Sequence, residues 1–269
     1  MQIHFTKYQG TGNDFVMLDN RGERPYSGLT QEQIAFLCDR RFGIGADGLI
    51  LLEEHPSEDF RMVYYNSDGG ESTMCGNGGR CLVAFAHEKG MIDNGACTFE
   101  AVDGLHQAVW HSDGRVSLQM TRPANWQEIS QDENWLDTGS PHYVQFHTEN
   151  IADLDVAELG ARIRHSEAFE AIGGTNANFV NILEDNQLRV RTFERGVEGE
   201  TLSCGTGVTA CAYAYLKRAG GEGLSGEVGI STPGGNLEVK ITDLGEEGEE
   251  VWLIGPATRV FEGELMLAG

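Results

Sequence analysis

The chain has 269 residues, 40% of them hydrophobic, enough to bury a sizeable core in one large domain or in two of about 100 to 150 residues. A formal charge of −23 excludes recruitment of nucleic acid or anionic membrane through a bulk electrostatic field, and a solvated acidic surface, of the kind suited to salty surroundings, accounts for it. There is no apolar run of roughly 18 residues and no charged start leading into an apolar signal segment, so a soluble, cytoplasmic protein is expected.

Local patterns place the elements in chain order. Thr30 with Gln33 reads as a capping box ahead of a helix carrying Ile34, Leu37 and Cys38. "FRMVYY" (60–65) predicts a strand, and Gly78, Cys81, Leu82 and Phe85 then recur at helical spacing until Lys89 and Gly90 stop them. After the strand "VSLQM" (116–120), Val156, Leu159, Gly160 and Ile163 form a second helical stripe, and "LRVRTF" (188–193) is another strand. Val208, Cys211, Ala212, Tyr215 and Leu216 predict a helix closed by Lys217, Arg218, Gly220 and Gly221, and "NLEVKI" (236–241) follows as a strand.

The second set paraphrases the first. "FRMVYYNSDGGESTMC" aligns with "LRVRTFERGVEGETLSC" through one inserted residue, setting Arg61 on Arg189, Tyr65 on Phe193, Asn66 on Glu194, Glu71 on Glu200 and Cys75 on Cys204. "VSLQMTRPA" echoes "VWLIGPA", and "GNDFVML" echoes "NANFVNI" more faintly. An internal duplication follows, and with it an α+β fold of two pseudo-symmetric domains, each a strand-rich layer wrapped around a central helix. The expected halves are 1–123 with a C-terminal strand at about 258–269, carrying Cys75, and 124–257, carrying Cys204.

Six cysteines raise the question of a disulfide framework, but the chain is too long to need one and carries no export signal. Zinc sites usually show closely spaced ligand pairs, whereas Cys75 to Cys81 and Cys204 to Cys211 lack both that spacing and a nearby histidine pair. Cys38, Cys81, Cys97 and Cys211 read as small buried hydrophobes. Cys75 and Cys204 differ, because each stands at a helix start with Gly-x-Gly after it. There the helix dipole and the unsatisfied first-turn N–H groups favour a thiolate, and glycines let an anionic ligand approach those N–H groups. Two such thiols on opposite faces of one carbon would remove a proton from one side and deliver one from the other, which is racemisation or epimerisation without a cofactor. A redox disulfide pair, or glycine turns that merely end strands, are the other readings of the same residues.

Seven ordered motifs cover nearly the whole chain: "KYQGTGNDF", "RRFGIGADGL", "NSDGGESTMCGNGGRC", "TGSPHYV", "TNANFV", "FERGVEGETLSCGTG" and "GPATRVFEGE". Together they resemble the diaminopimelate epimerase family, which interconverts LL- and meso-2,6-diaminopimelate on the route to lysine and peptidoglycan. The resemblance implies a homodimer, no pyridoxal phosphate and no other cofactor or metal, with Cys75 and Cys204 as the acid/base pair. It implies that Gly76, Asn77, Gly205 and Thr206 offer backbone donors to the reacting carboxylate. Asn13, Asn66, Asn178, Glu194 and Arg195 would line the substrate pocket, with His142 beside the reacting centre helping to set thiol protonation. Many members carry Gln where this chain has Gly48 and Asn where it has Ser140. Proline racemases and hydroxyproline epimerases share the architecture but need no second carboxylate anchor, so Arg195 with Asn66 and Asn178 favours diaminopimelate. Phenazine-type isomerases use a carboxylate in place of the first thiol. A non-catalytic amino-acid-binding protein would show no exchange of the α-hydrogen, and a thiol-disulfide oxidoreductase is disfavoured by the absence of C-x-x-C.

Overall fold

Strands β1 (Gln2–Gly10) and β2 (Asn13–Asp19) form an antiparallel hairpin closed by Thr11 and Gly12, both at positive φ (51° and 87°). Two consecutive left-handed residues are what a two-residue turn matched to strand twist requires, and Gly12 supplies the second without strain. The protein is described here by a computed structural model covering residues 1–220 and 224–267. Its chain separates into two units, Met1–Leu118 with Gly255–Gly269, and Gln119–Ile254.

In the first unit, helix α1 (Gln31–Cys38) starts at the Thr30 and Gln33 capping box and leads to β3 (Gly48–Glu53), which lies parallel to β2. All six residues of β3 are buried, as expected of a strand covered on both faces. Ile34, Leu37 and Cys38 pack on Leu49 and Leu51 from one side. From the other side comes α2 (Gly76–Glu88), buried from Asn77 to Ala86, which follows the antiparallel strand β4 (Phe60–Asn66). The unit continues with β5 (Ala96–Ala101), parallel to β4, and the antiparallel strands β6 (Gly104–Trp110) and β7 (Arg115–Gln119).

The second unit repeats this path. Strands β8 (Ala124–Glu128), β9 (Glu133–Asp137) and β10 (Pro141–Phe146) are antiparallel neighbours. Helix α3 (Val156–Arg164) and a single turn, α4 (Glu167–Glu170), lead to β11 (Asn176–Glu184), parallel to β10. Next come β12 (Gln187–Glu194), the short β13 (Gly199–Thr201) and α5 (Gly205–Ala219), whose residues Gly207 to Ala214 are buried. Helix α5 ends at Gly220 (φ 69°); Gly221, expected in the same stop signal, lies outside the described residues. Strand β14 (Gly226–Thr232) is parallel to β12, and β15 (Gly235–Asp243) and β16 (Glu249–Pro256) complete an antiparallel meander.

Strand β17 (Thr258–Met266) returns to the first unit and pairs antiparallel with β1, Gln2 opposite Met266. Residues 268 and 269 of the expected C-terminal strand lie outside the described residues. The order β17-β1-β2-β3-β4-β5-β6-β7 in the first unit thus has the same succession of parallel and antiparallel neighbours as β8-β9-β10-β11-β12-β14-β15-β16 in the second. Each is a strand-rich sheet about one buried helix, an α+β architecture, with α1 and α3 packed on the outside.

One expected correspondence is corrected. "GNDFVML" lies on β2 and "NANFVNI" on β11, but the topology matches β2 with β10 and β3 with β11. Short apolar strand patterns resemble one another regardless of position, and only the placement of the intervening helix separates the candidates. Register then gives residue equivalences. Tyr65 opposes Leu49, which opposes Val16; Phe193 opposes Ala177, which opposes Tyr143. With Tyr65 set on Phe193, Phe15 falls on His142, Ile50 on Asn178 and Tyr64 on Thr192.

Candidate active site: two cysteine-capped helix starts

Cys75 is the residue before α2, with extended φ and ψ (−104°, 127°), and Cys204 stands before α5 in the same way (−118°, 111°). Neither helix start has a side-chain cap. In both, the first intrahelical bond reaches back to the cysteine carbonyl, from Gly79 N at 2.7 Å and from Val208 N at 2.9 Å. Gly76 and Asn77, and likewise Gly205 and Thr206, thereby occupy the first turn, where N–H groups have no intrahelical acceptor and suit a carboxylate.

In the first unit, the half-buried Cys75 thiol donates to Asn13 Oδ1 (3.5 Å), which also accepts from Asn77 Nδ2 (3.4 Å). The orientation of both amides is fixed by charge. Asn13 Nδ2 donates to Asp47 Oδ2 (2.7 Å), and Asn77 Oδ1 accepts from Arg80 Nη2 (3.0 Å). Asp47 is itself bound by Arg40 (2.7 Å), which bridges to Asp14. Arg80 is fully buried, which lowers its pKa by desolvation, and it also donates to Thr11 Oγ1 and the Pro256 carbonyl. Asn66, exposed at the end of β4, stands outside this group; its strand partner is Gly48.

Gly48 has a local reason to be glycine. A Cβ there would sit 2.5 Å from Tyr64 Cε2 and 2.6 Å from the Tyr65 carbonyl oxygen, so the ring of Tyr64 fills the space a longer side chain would need. Ser140 is likewise accounted for. Its hydroxyl accepts from Asn176 Nδ2 (2.8 Å), while Asn176 Oδ1 accepts from the backbone N–H of Arg195 (2.8 Å), fixing the end of β12 where Glu194 and Arg195 lie half-buried.

In the second unit, His142 and Asn178 are completely buried. His142 Nε2 lies 2.9 Å from Thr206 Oγ1 and its Nδ1 lies 3.2 Å from Asn178 Nδ2. Asn178 Nδ2 also donates to the Tyr143 carbonyl (2.8 Å), and its Oδ1 accepts from Thr192 Oγ1 (2.9 Å). Thr206 Oγ1 is 3.4 Å from Cys204 Sγ, so one hydrogen-bonded file runs from Thr192 to the thiol. Burial, and then the charge of Arg195, push the His142 pKa down to about 3, so the ring is neutral. Gly207 keeps the helix close, since a Cβ there would be 2.6 Å from Asn178 Oδ1.

The structure therefore gathers Asn13, Cys75, Gly76 and Asn77 in one unit, and His142, Asn178, Cys204, Gly205 and Thr206 in the other. Sequence reasoning missed Thr192, Asn176, Asp47 and Arg80 as supports. Thr192 carried a signal: in β12 it follows Leu188 and Val190 in the buried phase of the alternation, where a hydroxyl needs a partner. The remaining cysteines are buried thiols, and burial pushes Cys38, Cys81 and Cys97 up to about 12 and Cys211 well above its ordinary value.

A family model for diaminopimelate epimerase matches residues 5–126 and 134–260. A diaminopimelate epimerase of Flavobacterium psychrophilum is 51% identical over 95% of this chain and 97% of its own length, and one of Aquifex aeolicus is 41% identical over 98% of each. Among solved structures, a Bacillus anthracis phenazine biosynthesis protein of the PhzF family matches with a TM-score of 0.74 at 17% identity, covering 99% of this chain and 100% of that one. A hydroxyproline epimerase from Agrobacterium vitis, with bound trans-4-hydroxy-L-proline, matches at 0.64 and 14% identity, covering 98% and 92%. At such identities the structural matches speak for the shared fold alone. With more than half of the chain under the family model, and relatives this similar along their whole length, the chain belongs to the diaminopimelate epimerase family.

Proposed function

We propose that this protein epimerises LL-2,6-diaminopimelate to the meso isomer by a two-base mechanism in which Cys75 and Cys204 exchange the roles of acid and base with reaction direction. The observation that carries the reading is the repetition of a cysteine before an uncapped helix start at equivalent points of two duplicated units. Inversion requires a base on one face of the α-carbon and an acid on the other, and a duplicated thiol is an economical source of both.

The α-hydrogen beside a carboxylate is weakly acidic, because its removal loads negative charge onto the carboxylate oxygens. First-turn N–H groups of Gly76, Asn77, Gly205 and Thr206 are suited to hold that charge, and in comparable sites one such donor is worth about 3 kcal/mol. Arg195 would take the distal carboxylate, with Asn13, Asn66 and Glu194 accepting from the ammonium groups, while Asn178, expected in the pocket lining, is completely buried with its oxygen on Thr192 and supports the wall beneath Cys204 instead. His142, being neutral, tunes the Cys204 side without adding charge. We assign the enzyme to the cytoplasm, where thiols stay reduced, and to lysine and peptidoglycan precursor synthesis, and we take its assembly to be a homodimer, measurable by light scattering.

Proton NMR in D2O tests the reading. Loss of the α-hydrogen signal of LL-diaminopimelate with appearance of the meso isomer, and no change in a parallel L-proline sample, is the expected result. Exchange in the proline sample would favour the proline racemase reading, and binding of diaminopimelate without exchange would favour an amino-acid-binding protein.

A further inference from the structure

The two sulfurs have hydrogen-bond partners of opposite polarity. In the second unit the direction of every bond in the file except the last is determined by its partner. The Tyr143 carbonyl only accepts, so the Asn178 group facing it is the NH2, and the same NH2 points at His142 Nδ1. Nδ1 is therefore an acceptor, and a neutral imidazole with an accepting Nδ1 carries its proton on Nε2. That proton is directed at Thr206 Oγ1, which leaves the threonine hydrogen available to Cys204 Sγ, in a contact whose geometry lets either atom be the donor. A hydroxyl donating to sulfur favours the thiolate.

In the first unit the direction is reversed. Asp47 only accepts, so it holds Asn13 by its NH2 and turns the Asn13 carbonyl oxygen toward Cys75. A carbonyl oxygen can only accept, which favours S–H over S⁻.

We infer that Thr206 is a positioning residue whose hydroxyl, turned hydrogen-forward by His142, keeps Cys204 as the thiolate, while Asn13, turned by Asp47, keeps Cys75 protonated. The substrate-free enzyme thus meets its substrate with Cys204 as the base and Cys75 as the acid. This rests on the two-thiol reading above. Other groups act at longer range: the charge of Arg80, in α2, favours the Cys75 thiolate, while Asp47 stands behind Asn13 and is joined to Asp14 through Arg40. On the Cys204 side stand Cys211 from α5 and His142 from β10, the latter facing the charge of Arg195 just beyond β12. Thr206 and Asn13, in contact with the sulfurs, bear on them in opposite senses.

Thiolate ultraviolet absorbance, followed between about pH 5 and 9, tests this without substrate. The other four thiols stay protonated there because burial raises them, so the signal belongs to Cys75 and Cys204. Cys75→Ala, which leaves Cys204, should titrate at a lower midpoint than Cys204→Ala, which leaves Cys75. Adding Thr206→Val to Cys75→Ala should raise that midpoint by about one pH unit, a tenfold loss of thiolate at a fixed pH below it, while Thr206→Ser should not. Equal or inverted midpoints of the two alanine variants, or a Thr206→Val midpoint that does not move, would overturn the inference. If diaminopimelate failed to exchange its α-hydrogen while the midpoints fell in the stated order, the substrate reading would fail and the polarity would stand.

Discussion

Equivalent positions in the two units are filled with opposite chemistry. Around α5, His142, Asn178 and Thr192 form a hydrogen-bonded file under Cys204; around α2 the same positions hold Phe15, Ile50 and Tyr64, and the Phe15 and Tyr64 rings meet edge to face at 6.0 Å. The glycines facing them follow suit. A Cβ on Gly78 would touch Ile50 Cδ1 at 3.0 Å, whereas one on Gly207 would meet Asn178 Oδ1 at 2.6 Å. Duplication thus preserved the backbone and the thiol but not the support. The first unit orients its cysteine from the side through Asn13 and Asp47, the second from beneath through the buried file.

Replacing either cysteine is the harshest test of the likeness between the units. Cys75→Ala and Cys204→Ala should each lower meso-diaminopimelate formation by on the order of a thousandfold with the circular dichroism spectrum unchanged. Near-normal turnover in either would mean that only one half of the duplication carries chemistry.

The buried histidine predicts a difference in acid stability. Its pKa is depressed from 6.5 to about 3 by burial first and Arg195 second, so below about pH 6.5 the unfolded chain binds a proton that the native one refuses. Stability is fully present above that pH and falls as pH drops toward 3, by up to roughly 5 kcal/mol from this group. His142→Phe, which installs the residue of the first unit, should flatten the pH dependence of the urea midpoint over that range; an unaltered slope would show that the ring is protonated in the native state.

Substituting the two facing glycines compares the walls directly. Gly207→Ala forces an amide oxygen to move and breaks the bond from Thr192, at a cost of about 2 kcal/mol, while Gly78→Ala displaces only a flexible Ile50 terminus and should cost less than about 1 kcal/mol. Equal shifts in denaturation midpoint would contradict the difference in rigidity. A similarly small effect is expected at the outer helices: Thr30→Ala removes the capping-box oxygen of α1 for about 1 kcal/mol, and Asp155→Ala does the same to α3, where the aspartate accepts from Glu158 N at 3.0 Å.

Much of this plan was legible from local pattern. The capping box at Thr30, the buried stripes of α2 and α5 and the repeated Cys-Gly-x-Gly all express short-range rules of spacing and backbone freedom. What escaped was non-local. Nothing in "GNDFVML" says that it matches β10 rather than β11, because that depends on which strands pair across a helix. Asp47 and Arg80 stood inside quoted motifs without a role, since their partners, Asn13 and Asn77, are defined by the fold. Gly48 looked like a missing side chain until Tyr64 was found in its place.

Strand β17 has a consequence for synthesis. A nascent polypeptide leaves the ribosome amino end first, yet β1, among the earliest segments made, needs residues 258–266 as its neighbour. The second unit uses one uninterrupted stretch, 119–254, and can reach its native pairing while the first still lacks an outer strand. Translation order and completion order are thus inverted: the half begun first is sealed last, and until then its β1 edge is an open template that a chaperone, or another unfinished copy, can occupy.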